Sequence, residues 1–162
     1  MKRRLGRLAV LIVLLLTLLG IGGRASLAIY HVEGNSMTPA ISPGERVLVN
    51  QIAYRWSDPE VGDLVIAGED NALPGFVVKR VVAVGGQHVA FANGRVWIDG
   101  RELVESYLPP GTTTDCDGTG CDLIVPTGSV FLLGDNRSES FDSRVVGAVP
   151  LSSIAGKVIR DL

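Results

Sequence analysis

The hydrophobic positions of this chain fall into two regimes. Residues 8–23, "LAVLIVLLLTLLGIGG", form a long apolar run, and beyond it shorter valine-rich runs recur between glycines, prolines, asparagines and aspartates. "ERVLVNQIAY", "GDLVIAG", "FVVKRVVAVGG", "HVAFANGRVWIDGRELV", "SVFLLGDN" and "SIAGKVIRDL" have the length and β-branched content of strands. Asn93-Gly94 and Asp99-Gly100 are two-residue hairpin signals, so residues 88–104 are predicted to fold as an antiparallel meander. No run after residue 30 keeps a 3.6-residue period over three turns, and the predicted class is mainly β.

Composition limits the size of the fold. With 162 residues, 46% of them hydrophobic, the chain can bury one core but not two full ones. Its 20 glycines and 8 prolines are scattered, as turn punctuation in a β protein is. Lys2, Arg3, Arg4 and Arg7 crowd the start; without them the formal charge falls from −2 to about −6. That balance argues against binding to a phosphate backbone, and nucleic acid is not an expected partner.

The basic start and the apolar run predict three segments: a short cytoplasmic N-terminus over 1–7, a transmembrane anchor over 8–28 and an extracytoplasmic β-rich domain over 29–162. The apolar run is shorter than the about 20 residues a spanning helix needs. Arg24 can snorkel, however, and "ASLAIY" extends the stretch, with Tyr30 as an interfacial ring. A cleaved secretory signal ending near "ASLA", residues 25–28, is the alternative. Either way the basic cluster stays in the cytoplasm and everything from about residue 29 lies outside, in an oxidising compartment; the retained anchor makes the lipid bilayer a partner. Cys116 and Cys121 in "TTTDCDGTGCDLIVP" are then most simply one disulfide across a small loop. Zinc would need two further ligands, and the acidic loop lacks the terminal glutamate of a calcium site, so no metal or other cofactor is expected. Tyr54 and Trp56 in "YRWSDPE" read first as core or turn packing and second as membrane contacts.

Two polar residues stand out. Ser36, in "GNSMTPAISPGERVLVN", is not in a G-x-S-x-G turn and has no histidine-aspartate pair obviously placed to serve it. Lys79 interrupts the valines of "FVVKRVVAVGG", where alternation puts Val77, Lys79, Val81 and Ala83 on one face and Val78, Arg80, Val82 and Val84 on the other. A lysine desolvated among valines loses affinity for its proton, and a neutral amine can take the proton of a serine hydroxyl. Ser36 and Lys79 are therefore a candidate nucleophile and base.

These residues lie in three ordered blocks, "GNSMTPAISPGERVLVN", "GDLVIA" with "VVKRVVAVGG", and "LLGDNRSESFDSRVVGAVP", which resemble the blocks of bacterial type I signal peptidases in their compact form. The resemblance implies a membrane-anchored serine endopeptidase with a coiled β-sheet ectodomain like that of LexA-like proteins, cutting signal peptides from exported preproteins through an acyl-enzyme. It implies that Ser36 is the nucleophile, Lys79 the general base, Ser140 the residue that orients the lysine amine, and Asp142 with Arg144 a structural pair, braced across an extended segment. The backbone of Ser36, aided by Gly34, would hold the oxyanion; Gly34 stands where the Gram-negative branch has a serine. The substrate, with small residues at the first and third positions before the cut, would add as a strand near Met37, Val77 and Val78. Three alternatives compete: a LexA-like self-cleaving protein, a protease using His31 or His88 as base, and a non-catalytic β binding module, which requires Lys79 exposed and far from Ser36.

Overall fold

The computed structural model describes residues 27–68, 73 and 75–161. It is mainly β, in two antiparallel sheets. The first has seven strands in the order β1 (Leu27–His31), β2 (Arg46–Asn50), β11 (Ile154–Asp161), β3 (Leu64–Ala67), β4 (Val77–Val84), β9 (Ser129–Leu133) and β10 (Val149–Pro150). The second has four, in the order β7 (Arg101–Glu102), β6 (Arg95–Ile98), β5 (His88–Ala92) and β8 (Asp122–Ile124). The hairpin signals act as expected: Asn93 and Gly94 have φ of 52° and 71°, Asp99 and Gly100 have φ of 50° and 74°, and each pair links neighbouring strands by two residues.

Burial explains how the sheets pack. Val82, Ala83, Phe131 and Leu133 of the large sheet meet Val89 and Val96 of the small one in a shared apolar cluster with Val125. A second cluster, with Met37, Ile41, Val47, Val49, Ile66 and Val78, lies under the segment that carries Ser36. A third gathers Val65, Ala67, Val81, Val130, Leu132 and Val149.

Four expectations change. Strand β1 begins at Leu27, so Leu27 and Ala28, assigned to the end of the anchor, pair with Asn50 and Val49 instead. Tyr30 is likewise a strand residue, packed on the second cluster and edge-to-face with Phe76 at 5.9 Å. The rest of the proposed anchor, together with the basic N-terminus, lies outside the described residues; among those described, no helix is long and apolar enough to cross a membrane. Strict alternation along β4 also fails. The register against β9 shifts between Val81 and Ala83, which puts Ala83 in the cluster of Val82 and Val84 in that of Val81. Finally, Tyr54 packs on the third cluster, whereas Trp56 is 79% exposed and does not pack.

Candidate active site

Ser36 is held from three directions. Just after it, Met37 and Ile41 are buried in the apolar cluster beneath, each 1% exposed. The turn itself closes through Thr38 N–H to Asn35 O at 3.1 Å and Ile41 N–H to Met37 O at 3.0 Å. Across the site, the N–H of Asn136 donates to the carbonyl of Ser36 at 2.9 Å, and the Asn136 side chain donates to Asn35 O at 3.3 Å. Asn35 in turn donates to the carboxylate of Glu139.

Lys79 comes from the middle of β4, opposite Val65 of β3. Its side chain is only 2% exposed, and its Nζ lies 2.6 Å from Ser36 Oγ. Burial is the main reason that its pKa falls from 10.5 to about 8; Asp142 and Asp135 pull it up, and Arg144 pushes it further down. The two residues singled out in the sequence, 43 positions apart, thus meet as a hydroxyl and a partly neutral amine. This is the opposite of what a binding module with an exposed, remote lysine requires. Neither histidine takes the role: His88 pairs with Asp122 at 2.6 Å in the small sheet, and His31 lines the cleft without replacing Lys79 beside the hydroxyl.

Asp142 and Arg144 form a two-pronged ion pair with both contacts at 2.9 Å, buried at 0% and 8% exposure. The segment is not extended, however. Asp142 is the N-cap of a one-turn helix, α1 (Ser143–Val146), and accepts the N–H of Arg144 at 3.2 Å, so a cap rather than strand alternation brings the two together. Asp142 also accepts the N–H of Gly134 at 3.0 Å. Cys116 and Cys121 form a disulfide with Cα atoms 5.5 Å apart, and its loop docks on this turn. Gly120 N–H donates to Arg144 O at 3.0 Å, and a Cβ at Gly120 would sit 2.0 Å from Ser143 O, so only glycine fits there.

Ser140 departs from its expected role. Its hydroxyl is buried and has no hydrogen-bond partner among the described residues, so it does not hold the lysine amine here. Instead it packs over Gly134, where an added Cβ would lie 2.2 Å from Ser140 Oγ and 2.5 Å from Ser36 O. The absence of a side chain at Gly134 is what lets this loop approach the nucleophile.

Beside Ser36 opens a cleft of about 370 Å³, lined by Gly34, Met37, Val77 and Val78 as the sequence suggested, and also by Tyr30, Val32 and Phe76. A Cβ at Gly34 would meet nothing within 4 Å, so packing does not impose that glycine. The ionic supports behind the site do not follow from local sequence rules. Arg80, next to Lys79, binds Asp135 through two contacts of 2.9 and 2.6 Å and stacks on Tyr107. Arg137 binds Glu105 through contacts of 2.9 and 2.5 Å and donates to Gly134 O at 3.0 Å. The one available signal was the presence of two further charged residues, Asp135 and Arg137, within the same "GDNRSES" block.

Known proteins resemble this chain over most of its length. Residues 5–160 match the family described as "Signal peptidase, peptidase S26". A probable signal peptidase I-1 of Synechocystis is 34% identical over 80% of this chain and 67% of its own length. Signal peptidase I of Bacillus caldolyticus is 34% identical over 80% and 75%, and signal peptidase IB of Staphylococcus aureus 32% over 98% and 89%. A crystal structure of a signal peptidase I from Enterococcus faecalis superposes with a TM-score of 0.51 at 28% identity, covering 63% of this chain and 97% of that one. With the family match spanning nearly every residue and relatives above 30% identity, the chain belongs to the signal peptidase, peptidase S26 family.

Proposed function

We propose that this chain is a serine endopeptidase that removes signal peptides from exported preproteins, with Ser36 as nucleophile and Lys79 as general base. The observation that carries the reading is the buried amine of Lys79 at 2.6 Å from the hydroxyl of Ser36, which itself lines an open cleft. With a pKa of about 8, about one amine in ten is neutral at pH 7; at the ordinary value of 10.5 it would be about one in three thousand. Burial thus raises the reactive fraction by more than two orders of magnitude.

Ser36 attacks the scissile carbonyl as Lys79 takes its proton. The N–H of Ser36 stabilises the oxyanion, with Gly34 beside it. Lys79 then returns the proton to the leaving amine, and the acyl-enzyme is cleared by a water that the same amine activates. The stretch before the cut lies extended in the cleft against Met37, Val77 and Val78, where side chains of small residues fit. Asp142 and Arg144 fix the loop behind the lysine and touch no substrate. The apolar segment starting at residue 8 serves as the membrane anchor, with residues 1–7 in the cytoplasm and the β domain outside. Anchoring keeps the site near the bilayer, where signal peptides reside, and raises their effective concentration.

The test is cleavage of a preprotein bearing Ala-x-Ala before the cut, with the full chain reconstituted in vesicles. The wild-type chain releases the mature protein, and Ser36→Ala removes that activity while the circular dichroism spectrum is unchanged. Undiminished cleavage by purified Ser36→Ala would refute the assignment.

A further inference from the structure

A second groove, sharing no lining residue with the first cleft, begins just past the nucleophile, and nothing in the chemistry above uses it. It holds about 260 Å³ and is walled by Thr38 and Pro39, just past Ser36, by Pro109 and Thr112, and by Asn136 and Ser138. The substrate cleft takes its walls from Ser36, Met37 and the residues before them, whereas this groove begins at Thr38. Asn136 ties the two together, because its N–H holds the carbonyl of Ser36 while its side chain borders the groove.

An endopeptidase substrate does not stop at the scissile bond. Extended chain rises about 3.3 Å per residue, so the first three residues past the cut reach about 10 Å beyond Ser36. We propose that this groove binds those first residues of the mature protein, an inference that rests on the peptidase reading above. The groove's chemistry fits an extended main chain with small or polar side chains. Asp135 and Arg137, which also line it, are already paired with Arg80 and Glu105, which leaves the site without net charge. The Thr112 and Ser138 hydroxyls on its walls donate to Pro109 O at 2.8 Å and to Asn136 Oδ1 at 3.2 Å, which leaves their oxygen lone pairs to accept from a peptide N–H. Thr38, which lines the groove, has a buried Oγ1 with no hydrogen-bond partner among the described residues, a polar atom left unsatisfied beside the site.

Binding energy from parts of a substrate remote from the reacting bond is expressed in the rate, so shortening the substrate on this side lowers kcat/KM. The experiment compares two peptides, identical before the cut and ending one or five residues after it with an amidated C-terminus, using the full chain in detergent micelles. The long peptide is expected to show a kcat/KM about tenfold or more above the short one. In Thr112→Trp, which fills the groove, that ratio falls towards one; Ser138→Trp, at another lining position, does the same. Equal kcat/KM for the two peptides in the wild-type chain overturns the groove while leaving the peptidase reading intact. A full gain retained in both tryptophan variants overturns the groove's location. Failure to cleave either peptide removes the peptidase reading itself.

Discussion

Replacing Lys79 with methionine is expected to lower kcat/KM by about 10³-fold or more while making the folded chain more stable. The first effect follows from removing the only side chain, among the described residues, that bonds to the Ser36 hydroxyl. The second follows from burial. At neutral pH both the folded and unfolded chains carry a mostly protonated lysine, but only the folded chain has to bury that charge. A pKa lowered from 10.5 to about 8 corresponds to a penalty on the order of 3 kcal/mol. The penalty is fully present below about pH 8. As the pH rises from about 8 to 10.5 the unfolded chain holds its proton and the folded one releases it, so wild-type stability gains on the variant. Methionine fills nearly the same volume with no charge. Urea denaturation of both proteins at pH 7 and above pH 10.5 measures the difference, which should be large at the first and small at the second. A variant less stable than wild type at pH 7 would contradict the account of a costly buried amine.

The second large effect is at Asp142. Asp142→Ala is expected to cost about 3–5 kcal/mol, because it leaves the Arg144 guanidinium buried without its partner. It also removes the cap of α1 and the acceptor for Gly134 N–H. For a chain of this length that loss lowers Tm by about 10 °C. Asp142→Asn keeps the cap and the shape and should cost less. A thermal melt of Asp142→Ala within about 2 °C of wild type would show that the pair is not a brace. The pair matters to chemistry indirectly: Asp142 and Arg144 act on Lys79 in opposite directions, so burial remains the main cause of its low pKa.

The same contrast between local and long-range information explains which features could be read from the sequence. The valine-rich strands and the turns at Asn93-Gly94 and Asp99-Gly100 follow from local rules, and the structure contains them. Lys79 was conspicuous because a cation among valines conflicts with its surroundings. Strand β1 was hidden because Leu27, Ala28 and Ile29 continue the apolar composition of the preceding segment, and only pairing with β2 makes them a strand. The shift at Val81–Ala83 depends on the partner strand β9 and leaves no mark in β4 alone. Asp142 and Arg144 were recognisable as partners, but a spacing of two suits a helix cap as well as a strand. The pairs Arg80–Asp135 and Arg137–Glu105 join residues 55 and 32 positions apart, and no local pattern reports such contacts. The position of Ser140 depends on how closely its loop closes over Gly134, a matter of tertiary packing.

The proposed chemistry turns on one proton. Titration of the Lys79 side chain by NMR, in the full chain labelled with ¹³C-lysine and assigned with Lys79→Arg, reads it directly. The expected midpoint lies near the value of about 8 that burial imposes. A midpoint close to the ordinary 10.5 would mean that the amine beside Ser36 stays charged, and it would contradict the proposed base.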